Sequence, residues 1–275
     1  MKIIRTTLSV GAEKPFVILH VSDIHLTQTD AGDSDRRRAF AAERNGGFPY
    51  ALSAVEAITE HVQKTGYPLI NTGDMLDFVT PENLRIARQF AADTGMMMAT
   101  GNHEYWRCFN DRFAYDDVPA TYADRERTLA EVEQSLGIDI RFSCREINGV
   151  NLVCLDDSDY EIDAGMFEKL LAVEAQSKPI LLFMHIPLYS EHIGDPEAKF
   201  SLNAPPRYFE NCNPVDAWER SANELTRQIC DHIRSCPLIK CVICGHTHRS
   251  TDILGLDAQD QLITGCDTIR EITVT

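Results

Sequence analysis

The sequence predicts a mixed α/β (α+β) fold in which short buried strands alternate with amphipathic helices. Three observations predict it. Short apolar runs alternate with segments whose apolar residues recur at three- and four-residue steps. An Asn148-Gly149 pair joins two strand-like stretches, which is typical of a β-hairpin. No repeat, low-complexity tract or linker interrupts the 275 residues, so we expect a single domain over 1–275.

The predicted strands are short apolar runs. The first, at 16–21, reads FVILHV and is typical of a strand that is buried on both faces. The segments 141–147 and 150–155 form the two arms of the hairpin, and the tail from 252 to 274 fits two or three short strands. The remaining predicted strands are 69–70, 96–99, 180–184 and 238–244.

The predicted helices show a helical period of apolar residues. In the first helix this face is formed by Leu52, Val55, Ile58 and Val62. Gly66 follows and is expected to end the helix, because glycine adopts the left-handed conformation of a helix C-terminus without strain. The predicted helices are 49–64, 81–92, 121–136, 164–176 and 214–234.

Charge and hydropathy exclude several classes of protein. Against 42 Asp and Glu there are only 26 Lys and Arg, a net charge of −16 that argues against a general nucleic-acid binder. No apolar run reaches the roughly 18 residues of a membrane span. The apolar N-terminal stretch is short and broken by Arg5, unlike a signal peptide. We therefore expect a cytoplasmic protein that does not enter a membrane.

The nine cysteines are an odd number, and several lie inside apolar runs. They are typical of buried free thiols in a reducing compartment. Cys241 and Cys244 have CxxC spacing, but on a strand these positions face opposite sides, which favours packing over metal or redox chemistry. His20, His61 and His232 fall on predicted strand or helix faces and are interpreted as structural.

Polar clusters follow five of the apolar runs, where ligands gather in α/β sheets. Each cluster alone is more typical of a surface turn or helix cap, and His185 alone of a buried structural histidine. Together, however, they contain five of the nine histidines and indicate one ligand site. The clusters are Ser22-Asp23-Ile24-His25, Gly73-Asp74-Met75-Leu76-Asp77, Gly101-Asn102-His103-Glu104, His185-Ile186-Pro187 and Gly245-His246-Thr247-His248.

These motifs resemble those of the calcineurin-like metallophosphoesterase superfamily. The family pattern is D-x-H, G-D-x-x-D, G-N-H-D/E, a lone His and G-H-x-H, and all five parts occur here in that order between Asp23 and His248. The resemblance implies a four-layer sandwich, in which two mixed β-sheets are packed together and flanked by helices. It also implies two divalent or mixed-valence metal ions.

The resemblance assigns a ligand set to each ion. Their oxygen and nitrogen donors suit first-row ions such as Mn, Fe or Zn. Asp74 is expected to bridge the two ions. One set is Asp23, His25, Asp74 and His248. The other set is Asp74, Asn102, His185 and His246.

The implied reaction is hydrolysis of a phosphoester by a hydroxide that bridges the two ions. By resemblance, His103 protonates the leaving alkoxide or stabilises the transition state, and Asp77 orients His103 through a hydrogen bond. From the residues alone, Asp77 could instead be an acid in a surface turn.

Departures from the family pattern narrow the expected activity. Protein Ser/Thr phosphatases of this superfamily have arginines where this chain has Phe78 and Thr100, which argues against that activity. Purple acid phosphatases have a metal-binding tyrosine in the place of Asp77, so no charge-transfer colour is expected. Two cap-like segments rich in aromatic residues, about 105–122 and 189–213, follow motifs and are expected to roof the site.

The expected substrate is a small organic phosphoester, with a phosphodiester slightly favoured over a monoester. This preference rests on the absent arginines, which would bind a dianionic monoester. Two alternatives stay open. One is a nuclease of the same superfamily, which the net charge of −16 disfavours. The other is an inactive metallo-scaffold for protein binding, which would need neither His103 nor Asp77.

Overall fold

The structure, a computed structural model, describes residues 1–106, 122–208 and 222–275. Residues 107–121 and 209–213 of the predicted roof segments and residues 214–221 of the helix predicted at 214–234 therefore lie outside the described residues. Within the described ranges the chain forms two mixed β-sheets and six α-helices. No described helix combines the length and the apolar character that crossing a bilayer requires.

The first sheet has five strands and joins the chain's beginning to its end. Its strands are β1 (Lys2–Leu8), β2 (Phe16–Val21), β3 (Leu69–Asn71), β4 (Met97–Met98) and β11 (Thr268–Val274). They lie in the order β1-β11-β2-β3-β4. Strands β2, β3 and β4 are mutually parallel, so their carboxyl ends lie at the same edge of the sheet.

The second sheet has six strands in the order β5-β6-β7-β8-β10-β9. Its strands are β5 (Phe142–Ile147), β6 (Val150–Leu155), β7 (Ile180–Phe183), β8 (Ile239–Cys244), β9 (Thr251–Ile253) and β10 (Gln261–Ile263). Strands β6, β7, β8 and β10 are parallel, and an antiparallel strand closes each edge. The carboxyl ends of β7 and β8 therefore also lie at one edge.

Six helices cover the outer faces of the sheets. They are α1 (Asp35–Gly47), α2 (Ala51–Thr65), α3 (Pro81–Thr94), α4 (Tyr122–Leu136), α5 (Ala164–Glu174) and α6 (Glu224–Ser235). Local sequence explains several of their ends. Thr80, Asp163 and Asn223 cap the N-termini of α3, α5 and α6, each by accepting a hydrogen bond from a backbone N–H of the first turn. Gly66 ends α2 in the left-handed conformation, as predicted.

Three apolar clusters hold the layers together. One lies between the sheets, one between the first sheet and α2, α3 and α4, and one between the second sheet and α5 and α6. The strands contribute to two clusters at once, because successive side chains point to opposite faces. In β8, for example, Cys241 packs between the sheets and Cys244 packs against the helices, as expected from the CxxC spacing. The four-layer sandwich is thus confirmed.

The sequence did not predict two elements, β1 and α1. Strand β1 has few buried side chains and gains its order by pairing with β11 at the other end of the chain. Helix α1 buries only Arg37, Phe40 and Ala41, so it has no apolar stripe of helical period. Ser34 caps it, but a single cap without a stripe is also typical of a turn.

Glu104 joins the loops that follow β3 and β4. Its buried carboxylate accepts hydrogen bonds from the backbone N–H groups of Asp74 at 2.8 Å, Gly101 at 2.7 Å and Leu76 at 3.1 Å. Burial, together with the charge of Asp74, raises the pKa of Glu104 to about 7. The two loops touch so closely that a Cβ on Gly73 would lie 2.4 Å from the backbone nitrogen of Gly101.

We predict that Glu104→Gln destabilises the metal-free protein by about 1–3 kcal/mol, because an amide NH₂ would face backbone donors that then lose their acceptor. Urea unfolding measures the change. Glu82→Gln is the matched control, since Glu82 forms an ion pair with Arg85 at the surface of α3 and its loss should cost no more than about 1 kcal/mol. Equal losses in the two variants would contradict the linking role of Glu104.

Candidate metal centre

The structure brings the predicted site residues together where the carboxyl ends of the two sheets meet. Each predicted residue lies in the loop directly after a strand. The first sheet supplies Asp23 and His25 after β2, Asp74 and Asp77 after β3, and Asn102 and His103 after β4. The second sheet supplies His185 after β7, and His246 and His248 after β8.

The backbone at this edge is unusual. Five of the site residues have left-handed φ angles between 52° and 67°. They are Asp23, His25, Asp74, His246 and His248. Such a conformation costs a non-glycine residue about 1–3 kcal/mol and persists only where neighbouring structure enforces it. Here the loops enforce it by bonding to one another.

Hydrogen bonds connect these loops. The loop after β2 donates two of them, and the loop after β8 donates a third. The N–H groups of Asp23 and His25 donate to the carbonyl oxygens of Gly73 at 3.0 Å and Asp74 at 2.8 Å. The N–H of His246 donates to the Asp23 carboxylate at 2.9 Å. The loops of the two sheets are therefore held in one rigid arrangement.

The first cluster of candidate ligands is Asp23, His25, Asp74 and His248. One ligand atom of each lies within 4.8 Å of the others. The Nε2 atoms of His25 and His248 are 3.1 Å apart. His25 Nε2 is 3.6 Å from Asp74 Oδ2, and His248 Nε2 is 3.5 Å from Asp23 Oδ1. Three of these side chains are buried, whereas that of His248 is 42% exposed and lies at the mouth of the cluster.

The second cluster contains Asp74, His185 and His246, again within 4.8 Å of one another. His185 Nε2 lies 3.3 Å from Asp74 Oδ2 and 3.1 Å from His246 Nδ1. The side-chain oxygen of Asn102 is 3.0 Å from the same nitrogen. Asp74 Oδ2 therefore faces a histidine of each cluster, which is the geometry expected of a bridging carboxylate.

Hydrogen bonds behind the histidines direct their lone pairs inward. His25 Nδ1 lies 2.9 Å from the Asp77 carboxylate, and His185 Nδ1 donates to the Thr72 carbonyl at 2.7 Å. His246 Nε2 lies 2.7 Å from the Tyr160 hydroxyl. When each of these nitrogens carries the proton, the opposite ring nitrogen presents a lone pair to the cluster, as in metal-binding histidines.

The donor set fits cations. In neutral His185 the Nε2 lone pair faces two oxygen acceptors, those of Asp74 and Asn102, and a bound cation would relieve this repulsion. Burial alone would lower the pKa of His185, but the charge and hydrogen bond of Asp74, together with the charges of Asp23 and Asp157, raise this pKa to about 10. Carboxylate, amide and imidazole donors are also those that divalent first-row metal ions prefer.

His103 lies beside the two clusters and belongs to neither ligand set. Its backbone N–H donates to Asp74 Oδ1 at 2.9 Å, and its Nδ1 donates to the Asp77 backbone carbonyl at 2.8 Å. Burial opposes protonation, but the charges of Asp74 and Asp77 outweigh it and raise the pKa of His103 above its ordinary value. Trp106 packs on the ring, with the ring centroids 3.6 Å apart.

The carboxylate of Asp77 connects more groups than the sequence predicted. It lies 3.3 Å from His103 Nδ1, and it also lies 2.9 Å from His25 Nδ1. Arg44 on α1 forms a two-point ion pair with it, at 2.6 and 2.5 Å. Although burial favours the neutral acid, the hydrogen bonds from Arg44 and the two histidines hold the pKa of Asp77 well below its usual range. The Asp77 carboxylate is therefore ionised and contacts the imidazoles of both His25 and His103.

The two clusters open into a cavity of about 360 Å³. Its described wall contains Asp74, Asn102, His103, His246 and His248 from the site, four aromatic residues and two acids. The aromatic residues are Tyr105, Trp106, Tyr160 and Phe200, and the acids are Asp159 and Glu197. No Arg or Lys is among the described residues of this wall.

Three residues that were not predicted from the sequence support the site: Arg44, Phe48 and Tyr160. Phe48 stacks on His25, with centroids 4.0 Å apart, and the Arg44 guanidinium lies over Phe48. Only tertiary structure brings these residues to the strand ends, so no local pattern marks them. Glu104 differs, because it lies inside a motif but had been given no role.

Comparison with known proteins identifies the family. The model of the calcineurin-like phosphoesterase family matches residues 16–250, which include both sheets' site loops. No curated protein shows significant similarity to the chain.

Three solved structures are similar to the chain at low sequence identity. A dimetal phosphatase from Danio rerio is 12% identical, with a TM-score of 0.51 over 91% of this chain and 87% of that one. The phosphopantetheinyl hydrolase of Mycobacterium tuberculosis is 13% identical, with a TM-score of 0.47 over 94% and 90%. A Thermus thermophilus protein is 13% identical, with a TM-score of 0.46 over 90% and 88%. Since the family match extends over most of the sequence and all five motifs, the chain belongs to the calcineurin-like phosphoesterase family.

Proposed function

We propose that the protein is a binuclear metal-dependent phosphoesterase that hydrolyses a small organic phosphoester. One observation supports this most strongly. Asp74 Oδ2 lies 3.6 Å from His25 Nε2 and 3.3 Å from His185 Nε2, so one carboxylate serves both clusters beside a shared cavity. Two adjacent ions are the usual arrangement for displacement at phosphorus.

The proposed ligands are those that the family motif implies. Asp23, His25, Asp74 and His248 would hold one ion. Asp74, Asn102, His185 and His246 would hold the other. When bound, the ions neutralise the phosphoryl oxygens and activate the attacking water. Mn, Fe and Zn are the candidates, because the donors are oxygen and nitrogen atoms.

His103 is the proposed general acid. Its Nδ1 proton is held by the Asp77 carbonyl, so the Nε2 atom is left to meet the leaving oxygen in the cavity. The adjacent carboxylates favour the protonated ring that proton donation requires. Asp77 is a positioning residue, since its carboxylate contacts His25 and His103 but is not itself among the described residues of the cavity wall.

The residues that line the cavity favour a substrate with a small, uncharged organic group next to the phosphoester. Tyr105, Trp106, Tyr160 and Phe200 offer aromatic surface. A phosphodiester carries one negative charge, whereas a monoester carries two and is usually bound by arginines. Since the described wall has neither Arg nor Lys, we favour the diester.

The net charge of the chain also favours a small substrate. A net charge of −16 repels long polyanions, so nucleic acid is not the proposed partner. The cytoplasm is the proposed location. The cysteines of the described residues are free thiols, as a reducing compartment would maintain.

We predict that protein reconstituted with Mn, Fe or Zn hydrolyses a bis-aryl phosphate with a higher kcat/KM than the matched aryl monophosphate. Cyclic nucleotides and single-stranded DNA complete the panel, and chelator-treated protein is the control. A much higher kcat/KM for the monoester would contradict the diester preference. Efficient cleavage of the DNA would contradict the small substrate, and inactivity with every metal would contradict the proposed reaction.

We predict that His103→Ala retains both ions but slows hydrolysis of a diester with a poor leaving group by roughly 10²–10⁴-fold. A very acidic leaving group departs without a proton, so its hydrolysis should slow much less. His192→Ala is the control, because His192 lies outside the described cavity wall and is 47% exposed. Equal losses for both leaving groups would leave electrostatic stabilisation, and not proton donation, as the role of His103.

A further inference from the structure

A further group of metal-ligating side chains lies apart from the candidate metal centre, at the opposite end of the second sheet. It consists of Glu174, His232 and Cys236, which offer one ligand atom each within 4.8 Å of one another. Helices α5 and α6 end at this point and lead into β7 and β8. The group therefore lies at the amino ends of these strands, whereas the candidate metal centre lies at their carboxyl ends.

The group is arranged as a chelating set. His232 Nε2 lies 2.9 and 3.0 Å from the two carboxylate oxygens of Glu174. Cys236 follows the last residue of α6, and its backbone N–H donates to the His232 carbonyl at 2.8 Å, which holds it one turn after His232. The Phe167 ring packs against the His232 ring at 5.1 Å and limits its rotation. All three ligand residues are partly buried yet reachable from solvent.

The surroundings favour a cation. The C-terminal ends of α5 and α6 meet here, and each helix carries partial negative charge at that end. Within the described residues, the only ion-pair partner of Glu174 is His232, which provides positive charge only when it is protonated. No lysine or arginine of the described chain neutralises this carboxylate with an ion pair.

We propose that Glu174, His232 and Cys236 form a third, separate site that binds one Zn²⁺ ion. Thiolate, imidazole and carboxylate are all zinc ligands, and water would complete a tetrahedron. The ion would take the place of the proton between His232 and Glu174 and join the ends of α5 and α6. Because these helices lead into the strands that carry His185 and His246, the ion would stabilise the frame of the second sheet without entering the reaction. A fully loaded chain would then hold three ions.

Co²⁺ is a suitable probe, because a thiolate ligand produces an intense near-ultraviolet charge-transfer band. The candidate ligands at the carboxyl ends include no cysteine, so this band distinguishes the third site from them. We expect Co²⁺ titration of the metal-free protein to produce the band, with saturation at one equivalent of band-forming ion per chain. The same titration of Cys236→Ser should lack it. Excess Zn²⁺ should abolish the band of the wild-type protein.

Three further variants make the test specific. Cys144→Ser removes an exposed thiol of β5, and Cys266→Ser removes the thiol beside the His248 carbonyl; both should keep the band. Glu174→Gln should keep the thiol but move the titration to higher Co²⁺ concentration. Circular dichroism confirms that each variant is folded. The proposal is overturned if the wild-type protein gives no band, or if the band survives in Cys236→Ser.

Discussion

The site depends on the sharing of one buried carboxylate, that of Asp74, between two groups of histidines. Asp74 can serve both because its backbone adopts a left-handed conformation with φ of 52° and because Glu104 holds its N–H at 2.8 Å. The close contact of Gly73 with Gly101 brings the loops of β3 and β4 to the same point. The backbone strain at this edge is offset by apolar packing in the layers behind it, where strands are buried on both faces.

A second set of contacts gives the site its electrostatic character. Asp77, the Thr72 carbonyl and Tyr160 each bond to one nitrogen of a histidine and leave the other nitrogen facing the clusters. The helix α1 takes part through Arg44, whose charge compensates Asp77. Such outer contacts fix which nitrogen carries the proton and thereby raise the affinity of an imidazole for metal. The orientation of the candidate ligands therefore depends on groups behind them, among which Asp77 and Arg44 are not in the described cavity wall.

The sequence predicted the fold, and it marked candidate site residues that the structure brings together, because both leave local signals. Apolar runs mark the strands, and the Asp, Asn and His residues directly follow them, so parallel strands carry these residues to the same edge. Arg44 and Tyr160 leave no such signal, since only tertiary packing brings them behind His25 and His246. Strand β1 and helix α1 escaped prediction for a related reason: pairing and packing, not an internal pattern, specify them. The residues proposed to roof the cavity at 107–121 lie outside the described residues.

The central claim is that two ions share Asp74. Anomalous scattering from crystals of the protein grown with Mn²⁺ tests it most directly. We expect two neighbouring peaks, both in contact with the Asp74 carboxylate, one bordered by His25 and His248 and the other by His185 and His246. A single peak at full occupancy, or two peaks of which only one contacts Asp74, would contradict it.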